Sequence, residues 1–445
     1  MRNIIFIIII SILIFTSLSN ADLIKDVVGY YPSWFQNNFL PSLVDYEGLT
    51  HFIHCFIGVD SLGNIEIPDV FLNSEINQNC QQNDVVLLVS LGGETFSENL
   101  STVLANPQYA NNLKTDLLNF CLLYDYDGVD IDWEFPSNEE DKQNLNTFIQ
   151  SLYEVFNLQT PPLLISIAGP GSQYWTQYFD LPFLNQYVDL YNVMSYNYHG
   201  SWSSVSGHNA PLNTPSPLQE GSFSETLLFY QQSGLNMDNV VMGVSFIGIY
   251  FHCENLYESF FSSVIYDYWQ VELFYNDGWT TEWDPIAEVP YKLYDTGVGL
   301  ISFDDTLSIA AKCDHILSED CGGIMIWALG KDCLNQEQLL FPTVKEKFSS
   351  SQIVEESMFM NKTDMVHIYP NPSRSFFYID LKNIDEPCDI EIFNIKGQII
   401  RNEHLSNGSL KFFDLNSNDV VPNGIYFVKI IFADRHLTRK VLIIR

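Results

Sequence analysis

At 445 residues the chain exceeds what one hydrophobic core usually organises, so two or more folded units are expected. Its composition, 46% apolar and 17% charged, excludes a disordered chain. A formal charge of −35 repels phosphate backbones and argues against nucleic acid as a partner. Aromatic residues make up 14%, with 32 Phe, 24 Tyr and 8 Trp. They either fill the core or provide flat faces for sugar rings.

In chain order, Arg2 precedes an apolar run from Ile4 to Phe15, and Ser19-Asn20-Ala21 offers a small-residue cleavage site. Residues 1–21 therefore read as a secretory signal peptide and not a membrane anchor. No later run approaches the ~20 apolar residues of a spanning helix, so the mature chain is expected to be soluble and secreted.

Residues 22–347 alternate strand-like apolar runs with helical patterns. Eight runs stand out: Val27–Tyr31, His51–Phe56, Val85–Ser90, Gly128–Trp133, Leu163–Ala168, Leu190–Tyr196, Val240–Phe246 and Gly323–Trp327. Between them, Ala110, Leu113, Leu117, Phe120 and Tyr124 recur at helical spacing, as do Leu145, Phe148, Leu152 and Phe156. This pattern predicts an α/β fold, a (β/α)8 barrel. The gap before the eighth run is too long for one crossover, so residues 249–296 are expected to form a small α+β insertion. Eight cysteines are spread along the chain without a CxxC. Pairing of Cys55 with Cys80, or of Cys321 with Cys333, is conceivable in an exported protein.

Residues 348–362 lack a period and read as a linker. Beyond them, in 363–445, short alternating runs at Phe377–Leu381, Ile390–Ile395, Ile425–Ile430 and Lys440–Ile444 predict a small β-sandwich. Tyr369-Pro370-Asn371-Pro372 and Lys396-Gly397 supply turns.

The segment Asp127-Gly128-Val129-Asp130-Ile131-Asp132-Trp133-Glu134 carries the chemistry. Strand side chains alternate, so Asp130, Asp132 and Glu134 share one face, spaced about 6.6 Å apart, while Val129, Ile131 and Trp133 share the other. Three acids turned into a barrel are expensive to bury without a purpose. Coupling among them raises at least one pKa, which keeps one carboxyl protonated near neutrality. The last acid lies nearest the C-terminal mouth, where barrel active sites sit, so Glu134 is the natural proton donor. No histidine cluster at ligand spacing points to a metal.

These residues resemble the DxxDxDxE signature of glycoside hydrolase family 18. The resemblance extends over about residues 25–340. It includes Gly29-Tyr30-Tyr31-Pro32-Ser33-Trp34, Thr50-His51-Phe52 with Phe56, Ser90-Leu91-Gly92-Gly93, Met194-Ser195-Tyr196-Asn197, Gly207-His208-Asn209-Ala210-Pro211-Leu212 and Gly322-Gly323-Ile324-Met325-Ile326-Trp327. Trp283-Asp284 with Pro290-Tyr291 resembles the end of the insertion found in the chitinase branch. The resemblance implies a chitinase that cleaves β-1,4 bonds between N-acetylglucosamine units with retention. The attacking group is then the substrate's own acetamido oxygen, and no cofactor is required. Glu134 is implied as the acid, Asp132 as the group that orients the acetamide, Asp130 as its proton-sharing partner and Asp127 as a buttress. Tyr196 is implied to bind the acetamido oxygen and Trp327 to form the floor. Tyr30, Phe56 and Met194 line the same pocket by resemblance, with Trp34 and Trp202 as outer sugar contacts.

Four positions depart from the family. Asn197 stands where Asp is common, Glu94 where Trp often follows the two glycines, Ile247 where Tyr is usual, and Phe135 where Tyr is usual. Asn197 keeps hydrogen-bonding capacity without charge, so activity is expected to survive with a shifted pH profile.

Residues 363–445 resemble the C-terminal sorting domain of type IX secretion substrates. The resemblance rests on Ile368-Tyr369-Pro370-Asn371-Pro372-Ser373, Ile392-Phe393-Asn394-Ile395-Lys396-Gly397, Gly424-Ile425-Tyr426-Phe427-Val428 and Lys440-Val441-Leu442. It implies export to the medium or cell surface. The partners expected are chitin or N-acetylglucosamine oligosaccharides and the secretion machinery, with the chain acting as a monomer. Two rivals share the acid motif or the barrel: an endo-β-N-acetylglucosaminidase on glycoprotein glycans, and a non-catalytic chitin-binding lectin.

Overall fold

The structure, a computed structural model, describes residues 23–349 and, further on, 366–369, 376–381, 387–394, 399–405, 411–414, 424–431 and 436–443. The expected signal peptide, nearly all of the linker and the two C-terminal turns lie outside the described residues. Contacts divide the chain into two compact units, one up to Ser350 and one from Ser351.

The first unit is a closed parallel barrel. Its strands are β1 (Asp26–Pro32), β2 (His51–Val59), β3 (Val86–Gly92), β4 (Gly128–Asp132), β5 (Leu164–Pro170), β6 (Leu190–Met194), β7 (Val240–Ser245) and β8 (Gly323–Trp327). Neighbours in sequence are neighbours in the sheet, and β1 closes the ring by pairing with both β2 and β8. Both faces of these strands are buried, which explains their reading as near-continuous apolar runs.

Their outward side chains pack under helices. On the helix Glu139–Phe156, the stripe Leu145, Phe148, Leu152 and Phe156 is at most 2% exposed. Burial of each such side chain contributes roughly 1.5–3 kcal/mol. Asn138 caps this helix by accepting from the Asp141 amide, and Glu139, Glu140 and Asp141 in its first turn suit the positive end of the helix dipole. The helix Pro107–Tyr124 starts with Asn106 as cap and proline at its first position, and ends at Asp125 in a left-handed conformation. Together these two helices cover Val129, Ile131 and Trp133 and so turn the acids of β4 into the lumen.

The insertion is wider than the sequence suggests. Its five antiparallel strands run in the spatial order 263–267, 247–251, 300–303, 289–294, 279–284, with one helix, Tyr268–Phe274. The strands Ile247–Phe251 and Leu300–Phe303 reach past the expected bounds on either side. They pair with each other, Phe251 opposite Leu300, and close the subdomain beyond 249–296. Ile247, Ile249, Phe251 and Leu300 make its core.

The suggested disulfides are absent. Cys55 faces the lumen and Cys80 the helix layer, so the wall of the barrel lies between them. Cys321 is sealed in the strand–helix core while Cys333 sits on a short hairpin, and all four are free thiols.

The second unit is all-β. Strands 366–369, 376–381 and 411–414 form one antiparallel sheet, and 399–405, 388–394, 424–431 and 436–443 form another. The alternation of Ile390, Ile392, Val428 and Ile430, all buried, marks its inner face. Among the described residues no helix is long and apolar enough to cross a membrane.

Candidate active site

Barrel closure puts a ring of hydroxyls around Asp130. The register pairs Ser90 of β3 with Asp130 and Asp130 with Ser166 of β5. Both hydroxyls donate to its carboxylate, Ser90 at 2.7 Å and Ser166 at 2.6 Å. The Tyr30 hydroxyl donates at 3.0 Å and the Asn192 amide at 3.4 Å. Burial pushes Asp130 above the usual carboxylate range, and these donors pull it back. Asp130 also acts on the next acid along the strand, its charge helping to raise the Asp132 carboxyl.

Two residues on, Asp132 is 4% exposed, and its Oδ1 is buried without a hydrogen-bond partner. Burial first, then the charges of Glu134 and Asp130, push this carboxyl well above its ordinary value. The backbone of β3 passes very close here. Gly92 has φ +113, and a Cβ on it would lie 2.1 Å from the Asp132 carbonyl oxygen. Only glycine fits, which gives the first glycine of Ser90-Leu91-Gly92-Gly93 its reason.

Above Asp132, the Glu134 amide donates to the Ser97 hydroxyl at 3.1 Å. Burial raises the Glu134 carboxyl most, the Glu94 charge adds to that, and the Glu94 backbone N–H lowers it. The result is a carboxyl pushed up to about 7. A group with that pKa is half-protonated near neutrality, as a general acid requires.

Asp132 and Glu134 open into a cavity of about 200 Å³ at the C-terminal mouth, also lined by Tyr30, Trp34, Phe56, Glu94, Met194, Tyr196, Asn197 and Trp327. Its wall is aromatic: Phe56 stacks on Trp327 at 5.8 Å, Tyr30 meets Trp327 edge-on at 6.0 Å, and Trp34 approaches Phe56 at 6.2 Å. Burial holds the Tyr196 hydroxyl well above its usual pKa, so it stays a neutral donor. The Asn197 Oδ1 is buried without a partner.

Ten of the twelve residues singled out in sequence thus gather in or just beneath this cavity; Asp127 and Trp202 do not. Asp127 lies at the opposite end of β4, where its carboxylate accepts from the Leu87 amide at 2.8 Å and fastens β4 to β3. Trp202 is 60% exposed and lies against Gly200, away from the cavity lining. Ile247 also leaves the cavity, being buried in the insertion core. Phe135 stacks on Trp175 at 5.1 Å. Ser166 and Asn192 were missed. Their signal is a polar side chain on the inward beat of an otherwise apolar strand. Ala168, Thr95, Phe96 and Met325, which complete the lining, carry no sequence signal of their own.

A parallel eight-stranded barrel with paired carboxyls in an aromatic cleft at its C-terminal mouth defines a glycoside hydrolase architecture. Residues 26–332 match the Glycosyl hydrolases family 18, and the chain belongs to that family. Residues 367–444 match the Secretion system C-terminal sorting domain, which marks a secreted or cell-surface protein. Chitinase A1 of Niallia circulans is 24% identical over 69% of this chain and 56% of its own length. Probable chitinase 2 of Drosophila melanogaster is 28% identical over 55% of each. The chain therefore spans little more than half of these relatives. Ostrinia furnacalis Group IV chitinase, solved in complex with allosamidin, superposes with a TM-score of 0.67 at 27% identity. That match covers 75% of this chain and 99% of the solved one.

Proposed function

We propose that the barrel is a chitinase that hydrolyses β-1,4 bonds between N-acetylglucosamine units with retention of configuration. The observation that carries this reading is that Asp132, its carboxyl held well above the ordinary value, and Glu134, its carboxyl pushed up to about 7, line one cavity. A carboxyl lining the cavity beside a proton donor can accept from the N–H of a 2-acetamido group. The relatives named as chitinases support the same reading.

In this mechanism the sugar at the cleavage point rests on Trp327. Glu134 gives its proton to the glycosidic oxygen while the acetamido oxygen attacks the anomeric carbon. The leaving sugar departs as an alcohol, and an oxazolinium ion remains. Asp132 accepts from the amide N–H and, as its proton passes to Asp130, stabilises the positive charge as a carboxylate. Tyr196 holds the acetamido oxygen. Glu134, now a carboxylate, takes a proton from the incoming water, which opens the ring with net retention. Asp130 and its four donors fix the strand beneath. The N-terminal 21 residues direct export from the cytoplasm, and the C-terminal domain presents the chain to the secretion machinery.

A chitotriose carrying a fluorescent leaving group tests the reading. Turnover is expected, and Glu134→Gln is expected to reduce it by about 10²–10⁴-fold. Binding without turnover would establish a lectin, and cleavage confined to a high-mannose glycoprotein would establish the glycan enzyme.

A further inference from the structure

The cavity has one wall that neither the acid motif nor the aromatic floor explains. Three of its lining residues are acidic, Glu94, Asp132 and Glu134, and none is basic. Lys331 lies 6.0 Å from the Trp327 ring and is ion-paired to Asp267 at 2.6 Å. Asp132 and Glu134 have work in the proposed reaction. Glu94 does not, yet its side chain is exposed into the same space.

Its place along the cleft follows from its neighbours. Glu94 acts on Glu134 twice, through its backbone N–H and through its charge, whereas the charges acting on Asp132 are those of Glu134 and Asp130. With Gly92 in register with Asp132, Glu94, two residues on, comes out on the Glu134 side of the cavity that the three acids share. The proton donor faces the glycosidic oxygen, so the sugar beyond it is the leaving one. The reacting unit must keep its acetyl group, because its amide oxygen is the nucleophile. The leaving unit carries no such requirement.

We propose that Glu94 is a specificity-determining residue that recognises the ammonium of a deacetylated glucosamine in the leaving position, so that partially deacetylated chitin is a preferred substrate. This inference rests on the chitinase reading above. A carboxylate within reach of an ammonium in a cleft without competing cations gives a charge-assisted hydrogen bond, which a neutral acetamide cannot match. Attraction by the acidic surroundings adds to it for a polycationic chain.

The test compares wild type, Glu94→Gln and Glu94→Trp on fully acetylated chitin oligomers and on partially deacetylated chitosan, at mildly acidic pH where the amino sugar is protonated. The quantity read is the ratio of kcat/KM on chitosan to kcat/KM on acetylated oligomer. Any effect of Glu94 on the Glu134 proton acts on both substrates and cancels. Both variants are expected to lower the ratio about three- to fivefold, the range of a partly exposed ion pair. Sequencing of wild-type chitosan products is expected to show new non-reducing ends enriched in glucosamine and new reducing ends that are acetylated. An unchanged ratio, or wild-type non-reducing ends with no glucosamine enrichment, overturns the proposal while leaving the chitinase reading intact. A wild type that cleaves neither substrate overturns both.

Discussion

At the level of Asp130 the barrel lumen supplies four donors to one carboxylate, from β1, β3, β5 and β6. At the level of Asp132, two residues further along β4, it leaves Oδ1 buried with no donor at all. Both acids are buried, Asp130 fully and Asp132 at 4% exposure, so the difference lies in what the surrounding strands offer. A buried acid whose lone pairs are all met belongs to the fold and specifies its register. Asp132 lacks such partners and lines the cavity beside Glu134. The same strand thus carries a fully partnered acid below and a cavity-lining one above.

The largest effect that tests this contrast is expected at the upper acid. Asparagine at position 132 reproduces the neutral form but cannot ionise against a developing cation. Asp132→Asn is expected to lower kcat/KM on the chitotriose reporter by about 10²–10³-fold, as for removal of one preorganised electrostatic group. The variant's urea midpoint should be no lower than wild type, since a buried carboxyl has been removed. Retention of activity within about tenfold would break the contrast.

The lower acid should show the converse. Ser166→Ala removes the donor at 2.6 Å and leaves Asp130 Oδ1 with only the Asn192 amide at 3.4 Å. A buried acceptor deprived of its partner costs about 1–3 kcal/mol, so the urea midpoint should fall accordingly. If it does not move, Asp130 has solvent or another partner, and the two layers are less different than their geometry indicates.

The contrast also separates what the sequence makes legible from what it does not. The eight strands and the acid face of β4 follow from local periodicity, because parallel strands buried on both faces read as apolar runs and alternate side chains share a face. The partners of Asp130 are invisible at that range. Ser166 lies 36 residues away and Asn192 lies 62 away, and only the register of the closed barrel brings them to one level. The positions of Trp202 and Ile247 outside the cavity lining are set by long-range structure too: a motif match fixes neighbours along the chain, while the path of a loop decides where a side chain comes to rest. Glu94 stands out in sequence as a missing aromatic. Its backbone and charge acting on Glu134 emerge only once β3 and β4 lie side by side.

The smallest expected effect sharpens the upper layer by titration. As proton donor, Glu134 acts in its protonated form, and its pKa is pushed up to about 7 by burial and then by Glu94. Activity should therefore fall as pH rises through about 7. Asn197 lines the same cavity, its Oδ1 has no partner, and its φ of +57 is one that asparagine and aspartate both tolerate. Asn197→Asp thus adds a negative charge with little change of shape. A like charge disfavours ionisation of Glu134 and keeps the proton on it to higher pH, so the alkaline limb of kcat/KM should move upward by up to about one unit. Glu94→Gln removes a negative charge from the same cavity and should move that limb the other way. Were both limbs to stay in place, the proton donor would be insulated from the charges that share its cavity, and the assignment of that limb to Glu134 would fail.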